Sequence, residues 1–140
     1  MQALFLKLFI KFHRWLYEIS GGRIGANLAG IPMLLLYVTG RKSGQSYTIP
    51  LAYHADGDAY MVVASNNALP THPGWYFNVL ADENASIRVG QSVMRVTAKE
   101  LTGAEREAVW QRAIQTNPAW DGYRHKTDRI IPLIALTPIH

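Results

Sequence analysis

Cysteine is absent from this chain of 140 residues. Neither a disulfide nor a thiolate metal site can form, and the composition suits a reducing, cytoplasmic compartment. Charge is sparse, at 17% of residues, and no apolar stretch runs uninterrupted for the ~18 residues that a membrane-spanning helix needs. The Gly-x4-Gly-Lys-Ser/Thr spacing of a nucleotide-binding P-loop is missing. The segment GGRIGANLAGIP misses the three-glycine dinucleotide pattern, with Ser20, Gly22 and Gly25 at the glycine positions, and it follows a helical pattern instead of a strand. It reads as a flexible connector, and a Rossmann fold is excluded. His13, His54, His72, His125 and His140 show no paired spacing of metal ligands. No Ser-His-Asp set can be argued, so a hydrolase finds no support. His54 reads as facing solvent beside a turn at Asp56, and His72 as lying near a pocket mouth.

What is present is a greasy, basic chain. Hydrophobic residues make up 49%, and 14 basic residues against 10 acidic ones give a net charge of +4. That balance suits an anionic partner: a phosphorylated cofactor, an acidic membrane surface or nucleic acid. Nucleic acid is disfavoured, because the basic residues do not alternate with aromatics along one strand. The length fits one domain able to bury an ordinary core.

The first 20 residues are amphipathic. At about 100° per residue, Leu4, Phe5, Leu8, Phe9, Phe12, Trp15, Leu16 and Ile19 share a broad face, opposite a stripe of Lys7, Lys11, Arg14 and Glu18. The interleaved charges argue against a signal peptide. Residues 1–20 are expected to form a helix that either packs on its own domain or makes peripheral contact with the inner face of a membrane through residues 1–19. Residues 21–140 then form a single domain.

Six strands follow from apolar runs bounded by turn residues: Met33 to Thr39, Ser46 to His54, Ala59 to Ser65, Ser86 to Val89, Ser92 to Leu101 and Ile130 to Leu136. Turns are expected at GRKSGQ, at Ala55 to Asp58 and at Gly90-Gln91. A short helix should start with Pro73 in its first turn and run to about Ala81. A second should run from a capping box at Thr102 to Glu105 as far as Thr116. The segment from Tyr123 to Asp128 reads as irregular. Strands joined mostly by short turns indicate an α+β fold, an antiparallel sheet closing into a barrel with helices at its edges.

Two clusters carry chemistry. In GRKSG, Gly40 and Gly44 permit positive φ and close backbone approach, so the amides around Lys42 and Ser43 can form an anion-binding concavity. Arg41 adds a fork of donors, Lys42 a mobile charge and Ser43 a hydroxyl. A solvated basic hairpin tip would use the same residues. In SNNALPTHPGWYFN a strand end passes through a polar loop into a helix start, and Trp75 and Asn78 lie one helical turn apart. These parts suit a planar anionic heterocycle, although Trp75 and Phe77 would serve equally as core.

The order GRKSGQ, Ile-Pro-Leu, VVAS, HPGWYFN and TDRIIP resembles the deazaflavin-dependent nitroreductase family, from about Gly21 to Pro138. The resemblance implies a split β-barrel binding the deazaflavin coenzyme F420, with hydride transfer to a quinone, nitro or enone acceptor. By the same resemblance Arg41, Lys42, Ser43 and Gly44 match the loop that holds the coenzyme's phosphate. Pro50 and Leu51 match the strand under the ring, Ala64, Ser65 and Asn66 the segment along its edge, and Trp75 and Asn78 the helix closing the pocket. Tyr123 matches a tyrosine on the substrate side. Tyr47 stands where many members have a basic residue, and Asn66 where many have Lys. These departures leave room for FMN in place of F420, or for a non-catalytic binder of flavin, haem or lipid on the same barrel. The oligomeric state is left open.

Overall fold

A computed structural model describes residues 27–28 and 30–139. The expected helix over residues 1–20 lies outside the described residues. Among those, eight strands alternate with three helices. Strands β1 (Asn27–Leu28), β2 (Ile31–Thr39), β3 (Ser46–Ala52), β4 (His54–Asp56) and β5 (Ala59–Val63) come first. Helix α1 (Gly74–Ala81) separates them from β6 (Ser86–Val89) and β7 (Ser92–Glu100). Helices α2 (Gly103–Thr116) and α3 (Ala119–Arg124) and strand β8 (Leu133–Pro138) complete the chain.

Every strand pair is antiparallel, in the order β1-β2-β6-β7-β8-β5-β4, with β3 on the free edge of β2. Strand β7 joins the two halves of the curled sheet. Its first part, Ser92 to Arg95, pairs with β6 and its second, Val96 to Glu100, with β8. The strand pattern indicated an antiparallel α+β barrel, and the split form is the one that the family resemblance implied.

Side-chain alternation explains where the core sits. In β8, Ile134 and Leu136 enter one buried cluster with Leu34, Leu36, Val62 and Ile87. Leu133 and Ala135, on the opposite face, enter a second cluster under α2 and α3 with Met61, Val63, Trp110 and Trp120. Strands β5 and β8 are therefore buried on both faces, which is why both read as continuous apolar runs.

Several expectations shift. Strand β8 starts at Leu133 instead of Ile130, because Pro132 has no N–H for a ladder and its carbonyl instead accepts from the Ala64 amide at 3.0 Å. The turn after β4 narrows to Gly57 and Asp58, with Gly57 at φ +58°. Pro73 caps α1 from outside the helix. Thr102 caps α2 without a side-chain bond, and Glu105 pairs with Lys99 at 3.4 Å instead of closing a capping box. The connector contributes β1, and the segment around Tyr123 is partly helical. Gly122 and the short length hid that helix. It is held by a bond from Trp110 Nε1 to Asp121 Oδ1 at 3.3 Å and one from the Ala119 amide to Asn117 Oδ1 at 3.2 Å.

His54 does not face solvent. Its side chain is 14% exposed, with Nδ1 at 2.7 Å from Thr116 Oγ1 and Nε2 at 3.2 Å from Asp56 Oδ2. Arg112 donates to both carboxylate oxygens of Asp56, at 2.7 and 3.2 Å. The set fastens the β4 hairpin to α2. The Arg112 bond, opposed by burial and assisted by His54, holds the Asp56 carboxyl below its ordinary value of 3.8. A carboxyl with a lowered folded-state pKa stabilises the fold above its ordinary value, and that contribution is lost as pH falls through the folded-state value. Asp56→Asn should lower the melting temperature by a few degrees at pH 7, the modest effect of a solvent-screened pair, and by less at an acid pH below the folded-state value. Thermal melts across pH check this. An equal loss at both pH values would contradict it.

Candidate functional site

The two clusters singled out in the sequence lie at the two ends of α1. The basic turn after β2 is tied down at its start by the Thr39 amide, which donates to Asp82 Oδ2 at 2.8 Å just beyond the C-terminus of α1. Asn78 Oδ1 then accepts from the Arg41 amide at 3.1 Å and from Arg41 Nη1 at 2.8 Å. The Arg41 guanidinium lies 4.9 Å from the centre of the Phe77 ring. Asn78 thus orients Arg41 and keeps its amide nitrogen free of partners among the described residues.

Within the turn, the Gly40 amide donates to Gln45 O at 2.8 Å and the Gly44 amide to Gly40 O at 2.9 Å. The Gln45 amide donates to Ser43 Oγ at 3.2 Å. Among the described residues, the amides of Lys42 and Ser43 have no acceptor, and the exposed Lys42 side chain has no partner. The two glycines serve different ends. Gly44 adopts φ +71°. Gly40 does not, but a Cβ there would stand 2.7 Å from both Ser43 Oγ and Tyr47 Cε2. The Tyr47 ring covers Gly40, and its hydroxyl lies 3.4 Å from Ser43 Oγ. It closes the turn without adding charge.

At the other end of α1, the chain leaves β5 through buried Ala64 and half-buried Ser65 into Asn66–Ala68. Asn66, Asn67 and Ala68 have φ of +46°, +57° and +60°. Left-handed backbone is tolerable for Asn and unfavourable for Ala. The Ala68 amide bonds to Ser65 O at 2.9 Å, the Leu69 amide to Asn66 O at 3.0 Å, and Asn66 Nδ2 to Thr71 O at 2.9 Å. The Asn66 side chain thus serves its own loop.

The residue missed in the sequence is Arg129. Its Nε donates to Leu69 O at 2.9 Å, and its Nη2 to Ala64 O at 3.1 Å and Ser65 O at 2.6 Å. Its Nη1 lies 2.8 Å from His72 Nδ1. The guanidinium therefore clamps both ends of the left-handed turn. Burial lowers its pKa, from so high a value that it stays charged. The signal was present in TDRIIP, but an arginine that binds backbone carbonyls leaves no spacing rule to read.

His72 joins the two ends. Its ring centre is 4.7 Å from that of Tyr76 and 5.9 Å from that of Phe77, the ring against which Arg41 lies. The Tyr76 hydroxyl donates to Glu100 Oε1, which with burial pushes its pKa up to about 12 and fastens α1 to β7. Trp75 and Leu51 are half-buried against the same cluster inside the barrel. Pro50 and Leu51 pair with Leu35 and Leu34 of β2. Tyr123 stands apart from the basic turn. It packs on the cluster beneath α2, on a helix that adjoins the Asn66–Ala68 turn. The structure thus joins Arg41, Asn78, Ser65 and Asn66 through α1, His72 and Arg129, with Tyr123 on the far flank.

Strain in the left-handed turn is measurable. Ala68→Gly should raise stability by about 0.5 kcal/mol or more by relieving a positive φ. Ala108→Gly, in the exposed middle of α2, should lower it by about 1 kcal/mol. Urea denaturation checks both signs. Destabilisation by Ala68→Gly would show that the turn is unstrained.

Comparisons with known proteins agree on one family. Residues 9–138 match the family model described as F420H(2)-dependent quinone reductase. An F420H(2)-dependent quinone reductase of Mycobacterium tuberculosis (strain H37Rv) is 38% identical over 132 residues, 91% of this chain and 89% of that protein. The solved structure of an F420-H2 dependent reductase is 40% identical, with a TM-score of 0.68 over 75% of this chain and 93% of that one. A second solved structure, described only as a domain-swapped dimer, is 34% identical, with a TM-score of 0.71 over 97% of this chain and 99% of that one.

Proposed function

The chain belongs to the F420H(2)-dependent quinone reductase family, and from that premise we propose that its basic turn holds the phosphate region of coenzyme F420 while a quinone is reduced beside α1. Membership makes the protein an F420-dependent oxidoreductase and sets aside the non-catalytic binder. The observation that carries the site is the pair of acceptor-free amides at Lys42 and Ser43, beside a lysine with no carboxylate partner among the described residues. That donor set fits a phosphate.

The chemistry that the reduced deazaflavin supplies is a hydride. The protein binds, orients and polarises. Arg41, held by Asn78, and Lys42, Ser43 and Gly44 would take the phosphate. Pro50 and Leu51 would support the ring, Ala64, Ser65 and Asn66 would border it, and Trp75 would close the pocket. Tyr123, next to the left-handed turn, would orient the acceptor. Residues 1–19 would supply the peripheral membrane contact. Among the described residues, no helix is long and apolar enough to cross a membrane.

Two substitutions separate these roles. Lys42→Ala should weaken F420 binding by roughly 1.5–3 kcal/mol, about tenfold or more, with little change in stability. Fluorescence titration checks it, and an unchanged dissociation constant would remove Lys42 from the site. Tyr123→Phe should lower turnover of menadione several-fold while leaving the F420 dissociation constant near that of the wild type, as measured by stopped-flow oxidation. Parallel loss of affinity and turnover would place Tyr123 on the cofactor side. Tight FMN binding without F420 binding would overturn the cofactor assignment, and Tyr47 would be the first residue to restore to a basic one.

A further inference from the structure

We propose that His72 is a hydrogen-bond donor to the acceptor's carbonyl oxygen, locked in its Nε2–H tautomer by Arg129, an inference that rests on the reductase reading above. A guanidinium has five N–H donors and no acceptor. With Arg129 Nη1 at 2.8 Å from His72 Nδ1, the lone pair must lie on Nδ1 and the hydrogen of the neutral ring on Nε2. That Nε2 has no acceptor among the described residues. The ring is half-buried and packs against Tyr76 and Phe77, whose own rings meet edge to face. It stands between the turn clamped by Arg129 and the ring against which Arg41 lies.

The charge on Arg129 strengthens this donor. Its hydrogen bonds run to the carbonyls of Ala64, Ser65 and Leu69 and to the imidazole, all neutral acceptors, and it has no carboxylate partner among the described residues. Donation into Nδ1 draws electron density from the ring and polarises the Nε2–H bond. Such an imidazole acts as an electrophile and not as an acid: surrendering Nε2–H would leave an imidazolate, so the proton stays. In quinone reduction the acceptor gains a hydride, which carries two electrons and one proton together, and negative charge collects on a carbonyl oxygen. A fixed N–H at that oxygen stabilises the charge as it develops. A proton from water then completes the hydroquinone. Arg129 is the positioning residue, acting through His72.

Two measurements test this. In the cofactor-free protein, long-range 15N–1H correlation spectra of the histidine rings should show His72 with bare Nδ1 and protonated Nε2, and Arg129→Met should abolish that preference. In the loaded enzyme, His72→Asn keeps an acceptor for Arg129 but removes the distal donor. Its kcat with menadione should fall about a hundredfold, with the melting temperature and the F420 dissociation constant near those of the wild type. His72→Gln, whose amide reaches toward the Nε2 position, should restore most of the rate. An Nδ1–H tautomer, an unchanged kcat in His72→Asn, or equal losses in both variants with a lower melting temperature would overturn the proposal. Failure of the wild type to bind F420 would overturn the reductase reading instead, and the ring spectra would still decide the tautomer.

Discussion

Arg129 reaches from the bend that precedes β8 back to the loop that follows β5, and its guanidinium binds the carbonyls of Ala64, Ser65 and Leu69 together with the His72 ring. The turn between those carbonyls carries three consecutive residues with positive φ. Strained residues of this kind cost about 1 kcal/mol or more each and persist only where the surroundings over-determine them. The clamp supplies that surrounding structure. Because β8 lies between β5 and β7, the position of Arg129 is fixed by the most deeply buried part of the sheet. Rigidity is thereby transmitted from the core to a loop that would otherwise be free to relax.

The basic turn depends on a second link of the same kind. Asn78 spends its one acceptor on both the amide and the guanidinium of Arg41. This leaves the neighbouring amides of Lys42 and Ser43 presented together. Helix α1 is the ruler between the two loops, with Asn78 and Asp82 at one end and His72 beyond the other. Tyr76 fixes that ruler to β7 through Glu100. A short helix with only Val79 fully buried is thus positioned as much by polar bonds as by packing.

Strand existence was legible because apolar runs bounded by Gly, Asp and Asn leave few alternatives. Strand ends were less so. Pro132 shifted the start of β8, and Tyr53 divides what reads as one strand into β3 and β4. The GRKSG segment was legible as a basic turn because its glycines and charges are local, although Gly40 turned out to matter for close approach to Tyr47 and not for φ. Asn78 was singled out by its helical spacing from Trp75 and matched by the family resemblance, but its role as a tether for Arg41 depends on a contact between distant parts of the chain. Arg129 and the enclosed His54 were illegible for the same reason. Both are defined by partners far away in sequence, and neither periodicity nor spacing records a bond to a backbone carbonyl.

The central claim is that the Lys42–Ser43 amides and the loop clamped by Arg129 border one cofactor site. Amide chemical shifts of 15N-labelled protein titrated with F420 test it most directly. The account predicts that shifts concentrate at Lys42, Ser43 and Gly44 and at Ser65 to Ala68, saturating together with one dissociation constant. Shifts confined to one of the two loops, or centred on the Asp56–Arg112 side of the sheet, would contradict it.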